Sequence, residues 1–259
     1  MIEAAVISAV LIVVFMSAVF ILSLWRRDNG MVDVAWGIGF LLVALATYFL
    51  SEIETIRKAL LTALIIVWGT RLALRIYLKN RGKPEDFRYR KWREEWGRTF
   101  VVRSFLQIYL LQGIVMFFVA LPIIITNTLG GPTSLGILDF FGLSLWLLGF
   151  FFEARGDYEL DRFLRDPARR PGSIMTSGLW RYTRHPNYFG EATMWWGLAL
   201  IALSVGPYGS LAFISPVLIT FLLLKVSGVP MLEAKWAGNP GFEAYKRRTS
   251  VFIPWFSRQ

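Results

Sequence analysis

Apolar residues run through this chain in long unbroken stretches. The first covers Ala4 to Trp25 and stops at Arg26-Arg27; others cover Val34 to Leu50, Ala59 to Leu78, Phe105 to Ile125, Ile137 to Phe152, Tyr188 to Val205 and Leu211 to Val226. Each approaches the roughly 20 residues that cross a hydrocarbon core of about 30 Å at about 1.5 Å per residue. The stretches are continuously apolar rather than alternating, which selects helices over a barrel, because a spanning backbone must satisfy its own hydrogen bonds. The pattern therefore predicts an all-α membrane protein with seven transmembrane helices in a single integral membrane domain, residues 1–259. The first stretch lacks a basic leading region and a small-x-small cleavage site, so it reads as a retained helix. Ile137 to Phe152 is short and begins beside Asp139, which suits a tilted or partly re-entrant segment.

Polar positions then orient the spans. Of 28 Lys and Arg residues, only Arg57 and Lys58 fall in loops on one side, while Arg26-Arg27, Lys79 to Arg103, Arg155 to Arg184 and the stretch after Lys225 fall on the other. The positive-inside rule puts the N-terminus out and the C-terminus in, in a bacterial inner membrane or its equivalent. Losing or adding a span would invert the later loops and spoil the asymmetry. The outer connections, Ser51 to Lys58, Thr126 to Gly136 and Gly206 to Ser210, are short or built of turn residues. The inner segments 79–104, 153–187 and 226–259 are basic and carry the Tyr, Trp, Asn and Asp side chains that chemistry needs, so function is expected on the cytoplasmic side.

Composition narrows the classes. With 55% hydrophobic and 18% charged residues, the chain departs from the about 25% charge of soluble domains and from the polar make-up of disordered ones. No cysteine and one histidine exclude disulfides, thiolate zinc sites, iron–sulfur clusters, a thiol nucleophile and multi-histidine metal centres, so no metal is expected. A net charge of +10 could suggest nucleic acid, but in so apolar a chain it reads as basic residues held near anionic membrane lipid, with no nucleic-acid partner.

Two inner segments stand out. Lys79-Asn80-Arg81-Gly82-Lys83-Pro84-Glu85-Asp86-Phe87-Arg88-Tyr89-Arg90 interleaves cations with directional donors and acceptors. Headgroup attraction needs only charge, whereas Asn80, Glu85, Asp86 and Tyr89 are groups that hold a ribose or pyrophosphate. The second runs from Glu153 through Asp157-Tyr158 and Arg162, Arg165, Arg169 and Arg170 to Trp180, Tyr182 and Arg184-His185-Pro186-Asn187-Tyr188-Phe189-Gly190-Glu191. Pro186 biases His185 away from helical geometry, so a helix begins near Pro186 or Asn187 and carries Glu191 into the membrane, where an acid needs a partner. Asp33 and Trp36 open the second span: Asp33 is either a helix cap or a neutral acid able to donate a hydrogen bond to a developing oxyanion, and Trp36 is its neighbour or an interfacial anchor. Arg71 and Arg75 share one face of the third span; Arg75 can snorkel, and the deeper Arg71 is the site candidate. Neither a triad nor a metal centre assembles around His185, which leaves it ligand-positioning or structural.

With these residues in view, the chain resembles the steroid 5α-reductase family, in particular its bacterial membrane homologues. The resemblance rests on Gly178-Leu179-Trp180, Tyr182 and Asn187-Tyr188-Phe189-Gly190-Glu191, on Asn80-Arg81-Gly82-Lys83-Pro84, on Glu153 with Asp157-Tyr158, and on Phe242 to Arg247 running to Phe252-Ile253-Pro254-Trp255. It implies seven transmembrane helices, NADPH bound from the cytoplasm, and hydride transfer to the carbon–carbon double bond of a 3-oxo-Δ4 steroid or similar lipophilic enone. Residue by residue, it implies that Asn187 holds the nicotinamide carboxamide with Glu191 after it. Arg71, Asn80, Lys83, Asp157, one of Arg165, Arg169 or Arg170, Tyr182, His185, Tyr245 and Arg247 would be cofactor-binding. Glu153, at a position where family members commonly carry asparagine, is implied to bind the cofactor with them. Animal members use a glutamine–glutamate pair in the second helix and a tyrosine in the third; here Asp33, with Trp36, stands in for the pair, and the third span has no mid-span tyrosine. Asp33 and Glu191 are thus the candidate acids for the proton step. No GxGxxG follows a strand, so no Rossmann domain is expected. The Arg184-His185-Pro186 triplet, with Glu233, also resembles isoprenylcysteine carboxyl methyltransferases, which gives an S-adenosylmethionine-dependent methyltransferase as the alternative. A monomer suffices, since seven helices can close around one site.

Overall fold

The computed structural model describes residues 1–257, and among these the regular structure is helical, with a lone parallel bridge between Thr183 and Ser250. In chain order the helices are α1 (Ile2–Arg26), α2 (Met31–Leu50), α3 (Ile56–Asn80), α4 (Phe87–Val119), α5 (Leu121–Leu129), α6 (Ile137–Arg165), α7 (Pro186–Leu203), α8 (Pro207–Ala234) and α9 (Pro240–Arg248). Among the described residues six helices, α1, α2, α3, α4, α6 and α8, are long and apolar enough to cross a membrane. The all-helical, multi-pass character expected from the sequence is present. The seventh expected span, Tyr188 to Val205, is α7, with 18 residues; Asn187 and Glu191 near its start lower its hydropathy, and it falls outside the six.

Local chemistry explains where the helices depart from the apolar runs. α4 starts at Phe87, 18 residues before its run does, because Asp86 caps it by accepting the Arg88 N–H at 2.9 Å and because Tyr89, Trp92, Trp96 and Phe100 recur at helical spacing among the charges. It ends at Val119, since Pro122 has no N–H to continue the ladder. Residues Phe105–Leu110 form a π-turn inside α4, and Leu222–Val226 another inside α8. α6 continues past its apolar part to Arg165 and projects a charged arm.

The chain folds as two compact units, one of Met1–Gly136 with Ile201–Ala212, the other of Ile137–Leu200 with the chain from Phe213 on. In the first, α2 and α3 cross where Gly37 and Gly69 face each other: a Cβ on Gly37 would lie 2.6 Å from the Gly69 carbonyl, and one on Gly69 would lie 2.9 Å from the Gly37 carbonyl. The two cations at the start of α3, expected as outer-loop charges, are buried. Arg57 donates to the Gly130 and Pro132 carbonyls at 2.9 Å and to that of Ser134 at 3.1 Å, while Lys58 donates to those of Ser51 and Ile53 at 2.9 Å. They supply donors to carbonyls that no helix satisfies.

In the second unit, α6 and α7 run together along a glycine seam. Gly142, Gly149 and Gly156, seven residues apart, meet Gly197, Gly190 and the Pro186-Asn187 step in turn. A Cβ at Gly149 would lie 2.5 Å from the Gly190 carbonyl and 2.7 Å from the Met194 nitrogen. The seam brings the start of α7 against Glu153 to Asp157.

Candidate active site

Glu153 and Asp157 lie one turn apart on α6, so both face the seam, and both are buried. Because Gly156 has no Cβ, the Pro186-Asn187 step packs directly on this stretch, and the Asn187 side-chain amide donates to Asp157 Oδ1 at 3.3 Å. The other end of that amide, Asn187 Oδ1, is buried without a hydrogen-bond partner. A buried acceptor left open costs about 1–3 kcal/mol, so it marks a place where a ligand's N–H fits. The indole N–H of Trp180 donates to the Gly156 carbonyl at 3.0 Å, and the Tyr245 hydroxyl donates to the Trp180 carbonyl. Burial pushes the Tyr245 phenol above its usual range, which keeps this hydroxyl protonated as a donor.

The Arg-His-Pro triplet is fixed by groups far along the chain. Arg184 donates through Nε to Glu233 Oε1 at 2.8 Å and through Nη1 to the Thr249 carbonyl at 2.8 Å, and its backbone N–H donates to the Ser250 carbonyl at 2.8 Å. His185 is buried, stacks on Tyr188 with ring centres 5.4 Å apart, and sets Nε2 3.1 Å from Glu233 Oε1. Thr183 and Tyr182 extend the clasp, the Thr183 hydroxyl donating to the Phe252 carbonyl and the Tyr182 carbonyl accepting the Trp255 N–H.

The charged arm of α6 borders a cavity of about 960 Å³ whose lining includes Arg155, Tyr158, Arg162, Arg165, Met175 and Ser177. The lining carries three carboxylates as well, Glu159, Asp161 and Asp166, and Arg155 is paired with Glu159 at 2.8 Å, so Arg162 and Arg165 are the guanidiniums that could meet a phosphate with forked N–H donors. Of the three arginines left open by the sequence, Arg165 lines this cavity, Arg169 lies over the Phe163 ring, and Arg170 is exposed in the turn closed by Ser173.

In the first unit, Asp33 sits in the first turn of α2 and receives two donors from the start of α4: the Tyr89 hydroxyl at 2.9 Å and Arg88 Nη2 at 3.3 Å. The charged start of α4 thus folds over Asp33 and engages both its oxygens, and the residue at the cap position of α2 is Gly30, not Asp33. Trp36 packs edge-on against Phe40. Beside this cluster, Glu85 accepts the Asn29 N–H at 2.8 Å and a two-point contact from Arg93, and buried Asn29 donates to the Ser104 hydroxyl at 2.9 Å. Arg71 is half-buried in α3, while Asn80 and Lys83 are exposed in a turn closed by the Lys83 N–H on the Asn80 carbonyl at 3.0 Å.

The first unit thus holds Asp33, Trp36, Arg71, Asn80 and Lys83. The second holds Glu153, Asp157, Arg165, Arg170, Tyr182, His185, Asn187, Glu191, Tyr245 and Arg247. Within the second, Asp157 and Asn187 are in direct contact, and Tyr245 is bonded one residue behind them, at Trp180. Glu191 is half-buried one turn beyond Asn187, and Arg247 is exposed. Sequence reasoning gave Arg88 no role of its own, read Tyr89 only as a group toward a ribose or pyrophosphate, and tied Arg184 and Glu233 only to the methyltransferase alternative. The available signal was Asp86, a capping residue that starts a helix and sets Tyr89 one turn in.

A family model described as "Protein of unknown function (DUF1295)" matches residues 19–249. An uncharacterized protein of Schizosaccharomyces pombe is 27% identical over 201 residues, 67% of this chain and 57% of that protein. The 3-oxo-5-alpha-steroid 4-dehydrogenase 1 of Bos taurus is 32% identical over 113 residues, 44% of this chain and 40% of the bovine one; that of Homo sapiens is 34% identical over 113 residues, again 44% and 40%. The chain spans about half the length of these curated relatives, or less. The steroid 5α-reductase resemblance read from the motifs is borne out by these matches.

Proposed function

The chain belongs to the DUF1295 family, and from that premise we propose that it is an NADPH-dependent membrane reductase of the Δ4 double bond of a 3-oxo-Δ4 steroid or similar lipophilic enone. The observation that carries the reading is Asn187: its amide nitrogen is held by buried Asp157 while its oxygen stays buried and open, as a carboxamide-binding group requires. NADPH, when bound, supplies the hydride. Asn187 and His185 would hold its amide head, and Arg162 and Arg165 its phosphates. Cations on the phosphate side favour NADPH over NADH, because they reward the extra 2′-phosphate.

The chain's own part in the chemistry is to hold the enone and manage a proton. Negative charge develops on the carbonyl oxygen as the β-carbon is reduced, and a hydroxyl aimed at that oxygen stabilises it and passes on its proton. Asp33, which the Tyr89 hydroxyl and Arg88 bond, is one candidate acid for that step. Glu191 is the second acid in reach of the α7 motif. A lipophilic enone enters from the bilayer and a charged dinucleotide from water, so the reaction belongs near the cytoplasmic helix ends, in a monomer with α7 as seventh span, N-terminus out and C-terminus in. Neither a metal nor a nucleic acid has a part in this scheme.

A second reading has one observation of its own. The Arg184-His185-Pro186 triplet that resembles the methyltransferases is tied to Glu233, so an S-adenosylmethionine site at the same turn is the competitor. Both are tested on one detergent-purified sample: transfer of deuterium from each stereoisomer of 4-labelled NADPH to a panel of 3-oxo-Δ4 steroids, and S-adenosylmethionine binding. Label in a 5α-reduced product is the expected result. Absence of transfer and of NADPH binding, with saturable S-adenosylmethionine binding, would overturn it.

A further inference from the structure

The only histidine of the chain has its two ring nitrogens in opposite circumstances. Nε2 lies 3.1 Å from Glu233 Oε1, whereas Nδ1 is buried with no hydrogen-bond partner, in a side chain only 6% exposed. Glu233 itself is anchored. Arg184 grips it through Nε at 2.8 Å and Nη2 at 3.4 Å, and Arg184 is in turn bonded to the Lys246 and Thr249 carbonyls. The carboxylate is therefore not free to turn away from the imidazole, and stacking on Tyr188 at a ring angle of 9° keeps the imidazole from rotating toward another partner.

A carboxylate bonded to Arg184 is an acceptor only, so the hydrogen between it and His185 belongs to Nε2. In a neutral imidazole the proton sits on one nitrogen, and the other is then a lone-pair acceptor. We propose that Glu233 is a positioning residue that fixes His185 as the Nε2–H tautomer, and that the open Nδ1 lone pair accepts one N–H or O–H from the cofactor bound at the α7 motif. The second clause rests on the reductase reading above; the first does not. Two residues along, Asn187 Oδ1 is a second buried open acceptor. The start of α7 thus presents two acceptors, which suits a carboxamide or ribose that brings donors.

A single histidine makes this measurable without assignment. Protein labelled with nitrogen-15 histidine, at a pH above the imidazole titration, gives one pair of ring-nitrogen signals. Expected are a protonated, pyrrole-type Nε2 and a bare, pyridine-type Nδ1. In Glu233→Ala the two signals should move toward each other as both tautomers fill; Glu233→Gln keeps an acceptor oxygen and should restore the wild-type pattern. A protonated Nδ1 in the wild type, or a Glu233→Ala spectrum unchanged from it, overturns the assignment to Glu233. Saturating NADPH should then shift Nδ1 more than Nε2. If nicotinamide fluorescence reports binding and Nδ1 does not move, the acceptor role of Nδ1 is wrong and the reductase reading stands. If NADPH does not bind, that reading and the cofactor clause fall together, while the ligand-free spectrum still decides what Glu233 does.

Discussion

Gly149→Ala is the sharpest test of how the seam between α6 and α7 builds the motif. The added methyl would lie 2.5 Å from the Gly190 carbonyl oxygen and 2.7 Å from the Met194 nitrogen, both backbone atoms that cannot swing aside. Ordinary contact begins at 3.4 Å, so the helices must part by about 0.9 Å. Alanine gains roughly 0.8–1 kcal/mol of helix propensity over glycine. Overpacking against backbone costs typically 1–3 kcal/mol and stands at the upper end here, leaving a net loss of about 1–2 kcal/mol. The functional loss should be larger. Parting the helices stretches the Asn187 to Asp157 bond from 3.3 Å beyond bonding distance, and a displacement of about 1 Å can cost on the order of 10²-fold in rate. Thermal unfolding in detergent and steady-state reduction, each beside Gly113→Ala, make the assay. At Gly113 the new methyl meets only side-chain atoms, Ile12 Cγ2 at 3.3 Å and Met16 Cγ at 3.5 Å, and should be tolerated. If Gly149→Ala melts and turns over like Gly113→Ala, the seam does not set the motif.

Asp33→Asn removes the acid with almost no change of shape and leaves an acceptor oxygen for the Tyr89 hydroxyl; turnover at saturating substrate should fall by about 10²-fold or more while cofactor KM holds, and an unchanged rate would remove Asp33 from the proton step. Arg165→Gln should raise KM for NADPH by roughly 10-fold or more, one charge-assisted bond, and leave KM for NADH nearly unmoved; equal effects on the two cofactors would take Arg165 away from the 2′-phosphate. Arg57→Met leaves the Gly130, Pro132 and Ser134 carbonyls without their donor and should cost about 3 kcal/mol in denaturant or thermal unfolding, with catalytic constants at permissive temperature unaffected.

Much of this was legible in the chain, and the reason differs by element. α1, α2 and α3 follow their apolar runs to within three residues, because charge or turn residues bracket each run and lipid-facing positions need no partner to be read. The start of α7 followed from Pro186 alone. The start of α4 did not, since its aromatic stripe is spaced among Arg, Lys and Glu and never forms a run. Arg57 and Lys58 count as loop charges until it is known which carbonyls lack donors, and that is a property of two other segments. The motif at 178–191 was readable because it is contiguous. Glu233 and the partners of Asp33 were not, because each pairing spans 48 to 56 residues and depends on where two helices end.

The clasp on the Arg-His-Pro triplet has a consequence for how the protein is made. Tyr182, Thr183 and Arg184 are bonded to the backbone at Lys246, Thr249, Ser250, Phe252 and Trp255, and Tyr245 reaches back to Trp180. A ribosome delivers these residues more than 60 positions after the triplet. All six long apolar helices therefore leave the tunnel before the motif can close. A chain cut short before Thr249 would carry every long apolar helix and still lack the bonds that latch the Arg-His-Pro turn.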